Sequence, residues 1–277
     1  MGMRVATNIT AINAQRNLST SQRVLGKSMS QLSSGSRINI AADDAAGLAI
    51  SEKFKASIRS ARMANRNAND GISMIQTAEG GLNEISNIVV RLRELGIQAA
   101  SDTVGQTERG FLNKEVDQLK SEVQRISSVT TWGQTKLLDG TTETFDYQVG
   151  LYNNSEEDRI SFKAAENVAT LDALGLTGLD FTTKEGAQEA LQLLDRSQDS
   201  VNGMRANLGA LQNRLTSTSD NLSVTEENMS AANSRIRDTD VALASSEMTR
   251  NNILLQASTA TLAQANQVNQ LALKLIG

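Results

Sequence analysis

The 277-residue chain contains no proline, no cysteine and no histidine, and only 3% of its residues are aromatic. Without His there is no imidazole general base and no His metal ligand. Without Cys there is no thiolate nucleophile, disulfide or zinc knuckle. Any catalytic group would have to come from Asp, Glu, Lys, Ser or Tyr, and an HExxH zinc motif is ruled out. Without Pro, long helices carry no proline kinks, and an unfolded chain meets no slow cis/trans step when it folds again. So few aromatics are too little bulk for an ordinary compact core of this size. Elongated bundles filled by Leu, Ile, Val and Ala fit better.

Charge is also sparse and uneven. The net charge is −4, which argues against a nucleic-acid binder. Between Asp139 and Asp199 thirteen acids face four bases, whereas from Val241 onward only Glu247, Arg250 and Lys274 are charged. Exposed helices usually carry more charge than that, so the end of the chain reads as buried or covered by a partner. No run of eighteen apolar residues exists, so no transmembrane helix and no membrane insertion are expected. No apolar segment of signal-peptide type follows Met1.

What the chain has is period seven. Ala187, Leu194, Val201, Leu208, Leu215, Leu222, Met229 and Ile236 are spaced by sevens, which is a coiled-coil seam. Ile75, Leu82 and Val89 repeat it in the first half, interleaved with Ala78, Ile85 and Leu92, and Leu112, Val116, Leu119, Val123 and Ile126 form a third run. Burying one such seam recovers much less free energy than ordering its fifty residues costs, so the seams must pack on one another. The fold class that follows is mainly α: a long antiparallel helical bundle. A straight helix through the last seam would run about 75 Å.

Punctuation divides the chain. Val5, Ile9 and Ile12 share a helical face that shifts register to Leu18, Leu25, Met29 and Leu32, and Ser33-Ser34-Gly35-Ser36 ends it. Asp43 or Asp44 caps a helix running to about Ala100, and capping is a better reading of this pair than a metal or acid/base site. Gly71 and Gly80-Gly81 inside that helix each cost about 1 kcal/mol relative to Ala, which close packing would offset. After Trp132-Gly133 the period falls to two: Phe145, Tyr147 and Val149, then Ile160, Phe162 and Ala164, predict a β-hairpin. Glu156-Glu157-Asp158 reads as its solvated turn. Thr182 with Glu185 reads as a capping box ahead of the long seam helix. The resulting segments are 1–42, 43–138, 139–183, 184–238 and 239–277. The first thirty and last thirty-five residues, with interrupted stripes rich in Asn, Gln, Ser and Thr, are expected to be disordered in the monomer and helical on assembly.

Two strings then carry a resemblance: LSSGSRINIAADDAAGLAISEKF from Leu32, and ARMANRNANDGISMIQTAEGGLNEISN from Ala61. Both resemble the N-terminal region of bacterial flagellins. ANLGALQNRL from Ala206, SRIRDTD from Ser234 and MTRNNILLQASTATLAQANQV from Met248 resemble the C-terminal region of the same family. The resemblance implies a short, core-only flagellin without large outer variable domains. Its terminal helices, 1–42 and 239–277, would pack as a coiled coil in the inner tube of a filament. Residues 43–138 and 184–238 would form the bundle, with the hairpin region 139–183 in place of variable domains. It further implies a structural subunit, not an enzyme and without cofactor, polymerising alone or with other flagellins for swimming motility. Export unfolded through the flagellar type III apparatus would take it from the cytoplasm to the extracellular filament, with a chaperone on the C-terminal region and contacts to filament cap and hook-junction proteins. A hook-filament junction protein and a secreted coiled-coil receptor ligand are the alternatives. Ser36, Ile40 and Asn269 depart from the family's usual Leu, Ser and Pro, and Asn269 would let the last helix run on.

The residues expected to build the filament core are Ile9, Ile12, Leu25, Leu32, Leu254, Leu255, Leu262, Val268 and Leu275. The bundle seam is Ile75, Leu82, Val89, Leu194, Val201, Leu208, Leu215 and Leu222. VVRLRELGIQ resembles the segment read by a flagellin-sensing Toll-like receptor, which places Arg91 and Leu95, with Glu122, as recognition candidates. There Arg would offer a forked donor and Leu an apolar knob.

Overall fold

The computed structural model describes residues 7–142 and 144–276, with side chains through Gln267. Five helices dominate: α1 (Ile9–Ser34), α2 (Ala45–Ala99), α3 (Gln106–Val129), α4 (Lys184–Arg237) and α5 (Val241–Ile276). Between α3 and α4 lie two antiparallel hairpins, β1 (Thr131–Trp132) with β2 (Thr135–Lys136), and β3 (Phe145–Gln148) with β4 (Arg159–Phe162). The chain forms two compact units, residues 59–227 and, from both ends together, 1–58 with 228–277. The boundaries read from sequence, 42/43 and 238/239, lie at the breaks between helices, whereas contact density changes within α2 and α4.

The helix limits follow local chemistry. Asn8 caps α1, its Oδ1 accepting from the Ala11 amide at 3.0 Å, and Gly35 ends it at φ 69°, a left-handed conformation natural to glycine. Of the two candidate caps for α2, Asp44 takes the role and accepts from Gly47 N at 2.8 Å. Asp43 instead accepts from Asn39 N and Ile40 N and pairs with Lys27 at 2.9 Å. At α4 the capping box is corrected by one position: Thr183 Oγ1 accepts from Gly186 N, and Gly186 has no side chain to complete a box.

In the 59–227 unit, α2 runs antiparallel to both α3 and α4. Arg91 meets Glu115, and Arg109 donates to Ala99 O, along the first pair. Along the second, Arg62 meets Glu226, Ser219 Oγ donates to Asn65 and Arg93 meets Asp195. The apolar stripes fill the space between. Ile75, Leu82, Val89, Leu194, Val201, Leu208 and Leu215 are all at most 1% exposed, and Leu222 is 6% exposed near the end of the unit. Val116 and Val123 close the third side from α3. Beyond the reach of α3 the predicted hairpin packs on α2: Asn67 donates to Gln148 O, and Tyr147 lies over Gly71.

That packing explains two of the three α2 glycines for which close packing is expected, Gly71, Gly80 and Gly81. A Cβ on Gly71 would sit 3.0 Å from Tyr147, and one on Gly81 would sit 2.7 Å from Thr130 Oγ1. Gly80 faces open space, so close packing does not account for it. The turn at 156–158 needs a correction. Glu156 and Glu157 are exposed, but Asp158 is buried, accepting from the Asn154 amide beneath Gly150. The β1–β2 hairpin leaves no mark in the sequence, because four residues are too few for an alternation to register.

Candidate assembly surface

In the unit formed by the two ends, α1 and α5 lie antiparallel and in step. At one end Asn8 Nδ2 donates to Ala265 O at 3.0 Å, and at the other Ser36 forms a β-bridge with Asp238. Because both helices rise 1.5 Å per residue, this register sets Ala11 level with Leu262, Leu18 with Leu255, and Leu25 with Met248. Small or polar layers alternate with these: Ala14 with Ser258, Ser21 with Asn251, and Ser28 with Ala244. Ser28, Ala244 and Asn251 are buried, and the other positions named in these layers are half-buried. The α5 seam residues 244, 248, 251, 255, 258, 262 and 265 alternate by four and three, the spacing of a coiled coil. Composition hid this seam, since Ser, Asn and Ala occupy more than half of its positions.

The junction beside this pair is held by polar contacts. Arg37 N donates to Arg237 O at 2.6 Å, its guanidinium donates to Ile236 O at 2.7 Å, and Thr239 N donates to Gly35 O at 3.0 Å. Arg237 pairs with Glu52. Asp240 Oδ1 caps α5 by accepting from Ala242 N and Leu243 N. The two Arg37 contacts satisfy carbonyls at the end of α4, and that of Thr239 satisfies the carbonyl after α1. No periodic signal in the sequence marks such contacts, made between positions two hundred apart.

The expected filament-core residues divide into two sets. Leu25, Leu32, Leu255 and Leu262 are half-buried, while Ile9, Ile12 and Leu254 are 57, 48 and 45% exposed. The side chains of Val268 and Leu275 lie outside the described residues, as does Val5 of the α1 stripe. α5 continues past Asn269 without a break. The exposed apolar residues of this unit extend further, to Val24 and Met29 on α1 and Val241, Leu243 and Ile253 on α5. Single exposed apolar residues are ordinary, but so many on two paired helices with little charge mark an interaction surface. The helices are formed here, where the sequence predicts disorder before assembly.

The three receptor candidates do not converge. Arg91 is about half exposed and is held by Glu94 at 2.9 Å and Glu115 at 3.0 Å; the hydrogen bond to Glu94, then that to Glu115, raises its pKa. Glu122 stands on α3 two turns beyond Glu115 and pairs with Arg125 at 2.7 Å, which lowers its pKa. Leu95 is 1% exposed within the bundle core. It is therefore a core side chain in this structure, not a surface knob, and the carboxylates that Arg91 meets are Glu94 and Glu115, not Glu122.

Among the described residues no group of three or more Asp and Glu could hold a metal ion, and no helix is long and apolar enough to cross a membrane. Among the same residues the one strongly displaced titratable group is Tyr147, raised by burial against the bundle, with its hydroxyl donating to Met74 Sδ. Fold and surface together define a helical structural protein: a sealed bundle, and a pair of terminal helices with apolar residues turned outward.

Comparison with known proteins names the family. A model of the bacterial flagellin N-terminal helical region matches residues 5–143, and one of the bacterial flagellin C-terminal helical region matches residues 191–276. The chain is 45% identical to a flagellin of Halalkalibacterium halodurans over 99% of its own length and 100% of that protein. It is 41% identical to a flagellar filament core protein of Brachyspira hyodysenteriae, again over 99% and 100%. The crystal structure of Bacillus cereus flagellin aligns at a TM-score of 0.51 and 29% identity, covering 61% of this chain and 94% of that one. The chain belongs to the bacterial flagellin family.

Proposed function

We propose that this chain is a structural subunit that polymerises into the flagellar filament, extracellular in its working state. The observation that carries the reading is the α1–α5 pair. Its seam is satisfied internally while Ile9, Ile12, Val24, Leu243, Ile253 and Leu254 remain exposed, so further copies of the chain are what would cover them. The names of the relatives, flagellin and filament core protein, support the same reading. Residues 1–42 and 239–277 would form the inner tube, and 43–138 with 184–238 the surrounding bundle. The chain would do no chemistry.

Export in an unfolded state, with a chaperone on the C-terminal region, belongs to the same proposal. It is supported by the nearly uncharged stretch from Val241 and by a chain without Pro, which refolds without a cis/trans step. Cap and hook-junction proteins would meet the subunit at the filament ends. Recognition by a Toll-like receptor would run through Arg91 and Glu122, the two candidates that reach the surface.

Electron microscopy of the purified chain after seeded or salt-induced assembly tests the proposal. Long uniform tubes are expected. Persistent monomers would overturn it in favour of a soluble ligand, and short caps in favour of a junction protein.

A further inference from the structure

The two compact units carry opposite charge. Residues 1–58 and 228–277 hold eleven Lys and Arg against six Asp and Glu, a net +5, while residues 59–227 hold sixteen against twenty-five, a net −9. Net charges of opposite sign within one subunit mean that copies attract where unlike units meet.

On α1 the positive charge is concentrated. The described helix has three bases, Arg16, Arg23 and Lys27, and no acid. At 100° per residue, Ile9, Ile12, Arg16, Thr20, Arg23 and Lys27 fall on one stripe opposite the seam formed with α5. Lys27 is engaged by Asp43, but Arg16 and Arg23 are exposed and have no ion pair among the described residues. Beside Arg23 runs a groove of about 510 Å³ whose lining includes Val24, Lys27 and Ile40. The terminal helices cannot answer this charge from another copy of themselves, since α5 offers only Glu247.

A matching surface exists on α4. Asp220, Val224 and Glu227 share one face at i, i+4 and i+7, all exposed, with Val224 at 57%. Neither carboxylate has an ion pair among the described residues. Asp220 and Glu227 are seven residues apart, as are Arg16 and Arg23, so both pairs repeat at about 10.5 Å along their helices.

Resting on the filament-subunit reading, we infer that the α1 stripe of one copy docks on the Asp220–Val224–Glu227 face of α4 in a second copy. Arg16 and Arg23 pair with the two carboxylates, and Val224, level with Thr20 between them, covers the near edge of the groove. The match of charge, spacing and apolar centre selects this partner over a lipid or nucleic-acid surface, which would present no fixed spacing of about 10.5 Å with an apolar knob between.

The test is a charge swap in the full chain, read as the critical concentration for polymerisation by sedimentation. Arg16→Glu with Arg23→Glu should raise it about tenfold or more, and adding Asp220→Arg with Glu227→Arg should restore it. Far-UV circular dichroism and the melting temperature of the monomer should stay at parental values, because all four side chains are exposed. A first variant that assembles like the parent overturns the inference. Loss without rescue by the swap overturns the assigned partner. Failure of the unaltered chain to polymerise is a different result and overturns the filament reading itself.

Discussion

Single residues show where this fold tolerates change and where it does not. Gly80 and Gly81 are neighbours in one helix, yet a Cβ on the first meets nothing within 4 Å and on the second meets Thr130 and Leu138 at 2.7 and 3.0 Å. Gly80→Ala should therefore stabilise the bundle by up to about 1 kcal/mol through helix propensity, while Gly81→Ala should destabilise it. Thermal melting of the two variants side by side checks the contrast, and equal shifts would contradict it. Leu82, fully buried, should lose about 2–5 kcal/mol on truncation to Ala, measured by denaturant unfolding. Asp43 makes a pH prediction. The hydrogen bond from Lys27 and those from the Asn39 and Ile40 amides hold its pKa below the ordinary 3.8. A depressed folded pKa adds stability above the unfolded value that is lost as pH falls through the folded one, so this contribution should vanish only below about pH 3.8. An NMR titration should find the Asp43 carboxyl moving up toward 3.8 in Lys27→Met.

Elements differ in what holds them. α2, α3 and α4 bury strong apolar seams and read clearly from sequence, because large aliphatic residues repeating every seven positions form a continuous stripe only on a helix. The α1–α5 pair has an equally regular seam, but its layers alternate between Leu or Met and Ser, Asn or Ala. Its regularity appears only once the partner and register are known. A seam so poor in apolar area should be marginal in one copy. Hydrogen exchange on the dilute monomer should therefore show amides of residues 9–34 and 241–267 exchanging quickly, with those of α2 and α4 between 59 and 227 protected. In the polymer both sets should be protected. Strong protection of α1 in the monomer would refute the expectation that assembly supplies its missing burial.

For the whole molecule, the consequence is a division of labour. A variant lacking residues 243–277 should keep a cooperative bundle transition yet form no filaments, since its apolar seams lie within 59–227 while the outward-facing Leu243, Ile253 and Leu254 are gone. Filaments from that truncation, seen by negative-stain microscopy, would refute the assembly mechanism. Sequence alone determined the helical class, the three bundle seams, the β3–β4 hairpin, the glycine stop after α1 and the family, because each is written in local periodicity or in contiguous strings. Only the tertiary structure decided that Leu95 is core, that Thr183 and not Thr182 caps α4, and that Asp158 is buried in its turn. It also set Asn8 against Ala265 and Arg37 against Ile236. Burial and pairing between positions far apart depend on which faces the folded backbone brings together, and no local pattern carries that information.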